Sequence, residues 1–148
     1  MTSFLHRYGL YLGWIVALVA TGGSLYFSEV VGFVPCKLCW FQRILMYPLV
    51  IVLGMASFRD ERQLSIYVLP MTIIGGLIAL FHYLEQKVPG FAASAICRGG
   101  GVPCDAEYIN WLGFITIPLL ALVAFVLVTV LVGSVWRAER RISKTEMS

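Results

Sequence analysis

Charged residues are so unevenly spread along this chain that they leave four long apolar stretches, roughly Tyr8 to Ser28, Leu38 to Phe58, Leu64 to Leu84 and Ile109 to Trp136. Each can cross a bilayer, which takes about 20 residues of helix. Hydrocarbon offers no water to backbone N–H and C=O groups, so stretches of this length and continuity are predicted as helices and not as barrel strands. With 59% hydrophobic and 13% charged residues in 148, the chain is too apolar for a soluble domain. The expected fold is all-α: one four-helix antiparallel membrane bundle over residues 1–148, with no soluble domain, repeat or low-complexity linker and a polar tail after Trp136. A secretory signal is the rival reading of the first stretch, since Arg7 precedes an apolar run and the small residues Ala20, Thr21, Gly22 and Gly23. The apolar character resumes through Leu25, Tyr26 and Phe27, beyond the usual length of such a signal, so a retained helix is expected.

Lys and Arg in short connecting segments resist export, so their distribution sets orientation. Arg7, Arg59, Arg62, Arg137, Arg140, Arg141 and Lys144 fall on one side, against Lys37, Lys87 and Arg98 on the other. Both termini are therefore predicted to be cytoplasmic, and the segments 29–37 and 85–108 to face outward. The basic tail serves this orientation and implies no nucleic-acid partner.

All four cysteines fall on the predicted outer side, where disulfides persist, and charge and cysteine usage reach that conclusion independently. Cys36 and Cys39 form a C-x-x-C at the mouth of the second span. A thiol at a helix start is lowered in pKa by unpaired backbone N–H groups and the positive end of the dipole. Pro35 cannot continue a helix backwards and Lys37 adds positive charge, so such a terminus is expected here. Cys97 and Cys104 form a C-x6-C around three glycines and Pro103, a pattern for an exposed turn. Electrons entering at one pair can pass to the other by thiolate attack through a mixed disulfide. Two plainer readings stand beside this: Cys97 and Cys104 brace their loop, or the four thiolates hold zinc. Zinc sites more often join two tight knuckles, and the outer compartment favours oxidation, so no metal is expected.

Arg43 lies four residues after Cys39, on the same helix face and about 6 Å deeper in the membrane. A fixed cation there favours a thiolate and can hydrogen-bond a quinone carbonyl; the alternative is a snorkelling anchor. His82 is expected at similar depth near the outer end of the third span, where an imidazole can relay the protons of quinone reduction or simply cap a packing contact. Trp40, Phe41 and Trp111 are candidates to wall a ring pocket, although aromatic residues also gather at headgroup level. Pro48, Pro70 and Pro118 are expected to bend spans two, three and four, and Gly54, Gly75 and Gly76 to allow close helix approach.

The run from Val34 to Pro48 (VPCKLCWFQRILMYP) carries C-x-x-C-aromatic-x-x-R, and Val102 to Cys104, the run from Ile109 to Pro118 (INWLGFITIP) and the run starting at His82 add to it. Together they resemble the DsbB-like disulfide bond formation proteins, in particular the short BdbC-type members, over roughly Leu12 to Phe125. The resemblance implies a four-helix thiol:quinone oxidoreductase of the bacterial cytoplasmic membrane. It would reoxidise an extracytoplasmic thioredoxin-like thiol oxidase of the DsbA or BdbD type and use menaquinone or ubiquinone as acceptor. Carried onto matching positions, Cys97 would form the mixed disulfide, Cys104 would pair transiently with Cys36, and Cys39 would lie against the quinone beside Arg43; His82 is assigned to the cofactor from its expected depth and imidazole chemistry, not from the resemblance. Larger DsbB proteins separate the second-loop cysteines more widely, so their order of attack need not transfer to this short turn. Two other classes compete: a relative of vitamin K epoxide reductase, in which the C-x-x-C follows the loop cysteines on the last helix, and a non-enzymatic four-span protein with structural disulfides or zinc.

Overall fold

The computed structural model describes residues 2–88, 102–104, 107, 109, 110 and 112–147; Cys97, Arg98 and Trp111 lie outside the described residues. The chain is a membrane bundle of four long helices, α1 (Thr2–Leu25), α2 (Lys37–Arg59), α3 (Ser65–Lys87) and α4 (Ile117–Glu146). All four are long and apolar enough to cross a membrane. A π-helical turn, Tyr26–Val30, extends α1, and a short 3-10 turn, Arg62–Leu64, leads into α3. Each helix packs on its sequence neighbours and α1 on α4 closes the ring, while α2 and α4 meet weakly across the diagonal. This is the up-down-up-down arrangement that short connections favour.

Between apolar helices in lipid there is no hydrophobic drive to associate, so close packing and small residues carry the contact. Leu49, Leu53, Val68, Phe125, Val128, Val132 and Val135 are completely buried along the axis, with Ala17, Ala56 and Ala79 among them. Gly75 is required: a Cβ there would occupy the ring of Phe125. At Gly54 a Cβ would come within 3.0 Å of the Trp14 indole nitrogen, whereas at Gly76 its nearest neighbour would be at an ordinary 3.7 Å. Val19, Ile51, Leu77 and Val130 point outward, as lipid-facing side chains do.

Pro48 and Pro70 lie inside α2 and α3, as expected. The fourth apolar stretch behaves differently. Helix α4 begins at Ile117 and not at Ile109, and Pro118 stands in its first turn instead of bending its middle. The first N–H groups of a helix have no intrahelical partner, so a proline there removes nothing. Upstream, Leu112 (φ 56°) and Gly113 (φ 80°) turn the chain through the left-handed region. The α2–α3 reversal likewise uses Asp60 at φ 53° as the residue closing α2, a conformation that aspartate tolerates better than most residues. At that end Arg62 bonds Asp60 (2.9 Å) and Glu139 (3.3 Å), and His6 bonds Glu139 (2.9 Å), tying α1, the α2–α3 turn and α4 together.

Candidate functional site

The opposite end of the bundle gathers Cys36, Cys39 and Cys104. Pro35 halts backward growth of α2 and leaves Cys36 as its N-cap, with extended backbone (φ −71°, ψ 173°). The Cys36 sulfur accepts the Cys39 backbone N–H at 3.3 Å, the position a capping oxygen usually fills. Capping of this kind suits a thiolate, because the N–H groups and the dipole both favour negative charge there. The two sulfurs are 2.9 Å apart and unbonded, placed so that one thiol can donate to the other sulfur. Cys36 is held well below the usual thiol range, first by the hydrogen bond from the Cys39 thiol and then by His82, against the opposing effect of burial.

His82 projects from α3 and is buried to 1% exposure. Its Nε2 lies 3.1 Å from the Cys104 carbonyl oxygen and 3.6 Å from the Cys36 sulfur, and its Nδ1 lies 3.1 Å from Gln42 Nε2. With the Gln42 amide donating to Nδ1, the ring proton sits on Nε2 and is shared between Cys36 and the Cys104 carbonyl; this tautomer is assigned from the bonding pattern. Gln86 donates to the same carbonyl at 3.4 Å. Cys104 is disulfide-bonded and shares one buried apolar cluster with Cys36 and Leu38. A single imidazole therefore bridges the C-x-x-C and the segment carrying the second cysteine pair.

On the other side of the C-x-x-C, a cavity of about 490 Å³ opens between α1, α2 and α4. Cys39, Gln42, Arg43 and Tyr47 line it from α2, Ser24 from α1 and Phe27 and Phe33 from the segment after it, and otherwise its walls are apolar. The Arg43 guanidinium donates to the Ser24 carbonyl at 3.1 Å and stands 5.7 Å from the Trp40 ring centre. The Tyr47 hydroxyl is buried and has no hydrogen-bond partner among the described residues.

Arg43 thus lies a turn below Cys39 in a cavity wall, where the spacing of four put it. His82 does not join it: the imidazole lines a separate cavity of about 20 Å³, together with Cys36, Cys39 and Thr116. Trp40 and Phe41 are exposed to the lipid side and do not wall the large cavity; Phe27 and Phe33, stacked at 6.0 Å, do. Gln42 was not singled out in the sequence. An amide inside an apolar span, three residues from Cys39 and so on its face, is the signal that marks it.

The family model for disulfide bond formation protein DsbB matches residues 6–135. The chain belongs to the DsbB family. Among relatives of this DsbB chain, disulfide bond formation protein C of Bacillus subtilis is 60% identical over 121 residues, covering 82% of this chain and 87% of the relative. Probable disulfide formation protein C 1 of Bacillus anthracis is 52% identical over 125 residues, 84% of this chain and 88% of the relative. A probable disulfide formation protein of Coxiella burnetii is 41% identical over 124 residues, 84% of each. No solved structure matches the chain at a significant level.

Proposed function

We propose that this DsbB-family chain is a protein-dithiol:quinone oxidoreductase of the bacterial cytoplasmic membrane, with its cysteine end outward and its Arg- and Lys-rich end in the cytoplasm. It takes two electrons from the reduced dithiol of an extracytoplasmic thioredoxin-like thiol oxidase, of the DsbA or BdbD type, and so supports disulfide formation in exported proteins. The observation that carries this reading is the position of the C-x-x-C. Cys36 shares a buried cluster and a bridging histidine with disulfide-bonded Cys104, while Cys39 lines the large apolar cavity.

In this reading the partner thiolate attacks Cys97, and the leaving Cys104 sulfur exchanges with Cys36, so that each new S–S bond replaces one broken. The His82 Nε2–H hydrogen-bonds the Cys36 sulfur and so steadies the charge that moves between the pairs. A bound menaquinone or ubiquinone supplies the acceptor of two electrons and two protons. The residues present fit such a ring: the cavity volume falls in the range of small-molecule sites, its walls are mostly apolar, and two polar residues on successive turns of α2, Arg43 and Tyr47, line it. Both are donors suited to carbonyl oxygens.

The test is reoxidation of a reduced thioredoxin-like oxidase by the chain in proteoliposomes. Turnover beyond one round is expected only with added quinone, and none is expected with Cys39→Ala. Sustained activity in that variant, or without quinone, would overturn the assignment.

A further inference from the structure

The groups beside the small cavity at the C-x-x-C also have the composition of a metal-ligand set. Cys36 Sγ, Cys39 Sγ and a ring nitrogen of His82 all lie within 4.8 Å of one another. Zinc bonds of about 2.3 Å to sulfur and 2.0 to 2.1 Å to nitrogen, at tetrahedral angles, set ligand atoms about 3.6 Å apart for an S and N pair and about 3.8 Å for two sulfurs. The Cys36 sulfur and His82 Nε2 already stand 3.6 Å apart. The two sulfurs, at 2.9 Å, reach the required separation by rotation of the Cys39 side chain. Cys104, being disulfide-bonded, offers no thiolate, so the ligands are two sulfurs and one imidazole and not four cysteines.

Thr116 supplies an independent sign of a ligand. It is buried to 1% exposure, its hydroxyl has no hydrogen-bond partner among the described residues, and it lines the same 20 Å³ cavity as the three ligand atoms. That volume holds about one water, enough for the fourth ligand of a tetrahedral ion, and Thr116 lines the cavity that would hold it. Gln42 completes the surroundings. A metal on Nε2 moves the ring proton to Nδ1, and an amide can turn from donating its N–H to offering its oxygen, so Gln42 can hold either tautomer.

We propose that the reduced C-x-x-C and His82 form a binding site for one soft divalent cation, of which Zn²⁺ is the type, that exists only in the dithiol state. The proton still held by the sulfur pair leaves to solvent as both sulfurs bind as thiolates, and the imidazole proton moves from Nε2 to Nδ1. The Cys36–Cys39 disulfide has no thiolate to offer, so oxidation of the pair ejects the ion. Binding itself requires only the dithiol; its consequence, arrest of turnover by occupying both sulfurs at once, rests on the redox reading above.

Anaerobically reduced protein in nanodiscs, with neither thiol partner nor quinone present, is titrated with Zn²⁺ against a chromogenic chelator and separately with Co²⁺. One ion per chain is expected, with the intense visible bands of tetrahedral Co²⁺, a thiolate charge-transfer band, and a zinc-edge X-ray absorption spectrum fitted by two sulfurs and one imidazole nitrogen. Protein oxidised at Cys36 and Cys39 should bind roughly 100-fold more weakly or worse, having lost both anionic ligands. Gln42→Leu keeps all three ligands and should weaken binding by about 10- to 100-fold. Equal binding by oxidised protein, a spectrum lacking sulfur or imidazole nitrogen, or wild-type affinity in Gln42→Leu would overturn the proposal. The spectrum of the unmutated chain decides even where the variant fails to fold, and the absence of partner and quinone separates this outcome from that of the redox assay.

Discussion

Each end of the bundle has a histidine where helices converge, and the two are used in opposite ways. His6 is partly exposed and set among full charges, Arg62 and Glu139, with Asp60 holding the arginine from the other side. His82 is buried among groups without fixed charge, the Gln42 amide, the Cys104 carbonyl and the Cys36 sulfur. Water screens the first set, which suits a clasp between α1 and α4. Around His82 little water intervenes, so a change of charge on Cys36 is felt strongly by its neighbours. The same side chain is a fastener at one end and, in the redox reading proposed above, a component of chemistry at the other, and exposure makes the difference.

Substitutions at the two ends should separate these roles. The largest effect is expected from Cys36→Ala, which should abolish reoxidation of a thiol partner in proteoliposomes while Glu139→Gln leaves it intact. Next, His82→Leu should slow exchange between the two cysteine pairs by about 100-fold or more, the usual range for removing a preorganised donor to a developing negative charge. Stopped-flow trapping of the intermediates would measure it, and quinone KM should stay unchanged because the imidazole does not line the large cavity. Arg43→Met should do the reverse, raising quinone KM by roughly 10- to 150-fold for the loss of a charged hydrogen bond worth about 1.5 to 3 kcal/mol.

A smaller difference is readable by titration. Cys36 is pushed down from 9.0 to about 4, so between those values the folded reduced chain keeps a thiolate that the unfolded chain protonates. Its contribution to stability is full above pH 9.0 and is lost as the pH falls through about 4. Ultraviolet thiolate absorbance should follow that curve, and Cys39→Ser should move the midpoint. Smallest of all, His6→Ala or Glu139→Gln should cost about 1 kcal/mol or less in stability, as partly exposed ion pairs do, with less effect still at high salt. A larger loss would show that the charged end is tighter than its exposure implies.

Much of this was legible in the residues. Continuous apolar runs bounded by charges give four spans, since lipid leaves the backbone few alternatives, and Pro35 ahead of Cys36 marks the start of α2. The spacing of Cys39 and Arg43 sets both on one face. Hydropathy failed at Ile109 to Thr116, which is apolar but turns at Leu112 and Gly113. There the better signals were Thr116 and Pro118, the cap and first-turn proline of a helix start. The partners of His82 were not legible, because its neighbours come from α2 and from the segment around Cys104, far apart in sequence. Nor did anything local show that Phe27 and Phe33, brought in by the π-helical turn, would wall the cavity in place of Trp40 and Phe41.

The walls of the 490 Å³ cavity include Val19, Leu120, Val123 and Leu127, side chains that are themselves 45 to 68% exposed on the lipid-facing surface. Its mouth therefore opens sideways into the acyl chains, and whatever occupies it arrives by two-dimensional diffusion within the leaflet. Occupancy should follow the mole fraction of ligand per lipid: adding empty phospholipid at constant aqueous volume should depress it, and adding buffer should not. If the occupant is the quinone proposed above, its long isoprenoid tail remains among the acyl chains while the head enters, so shortening that tail should alter partitioning far more than the fit inside the protein.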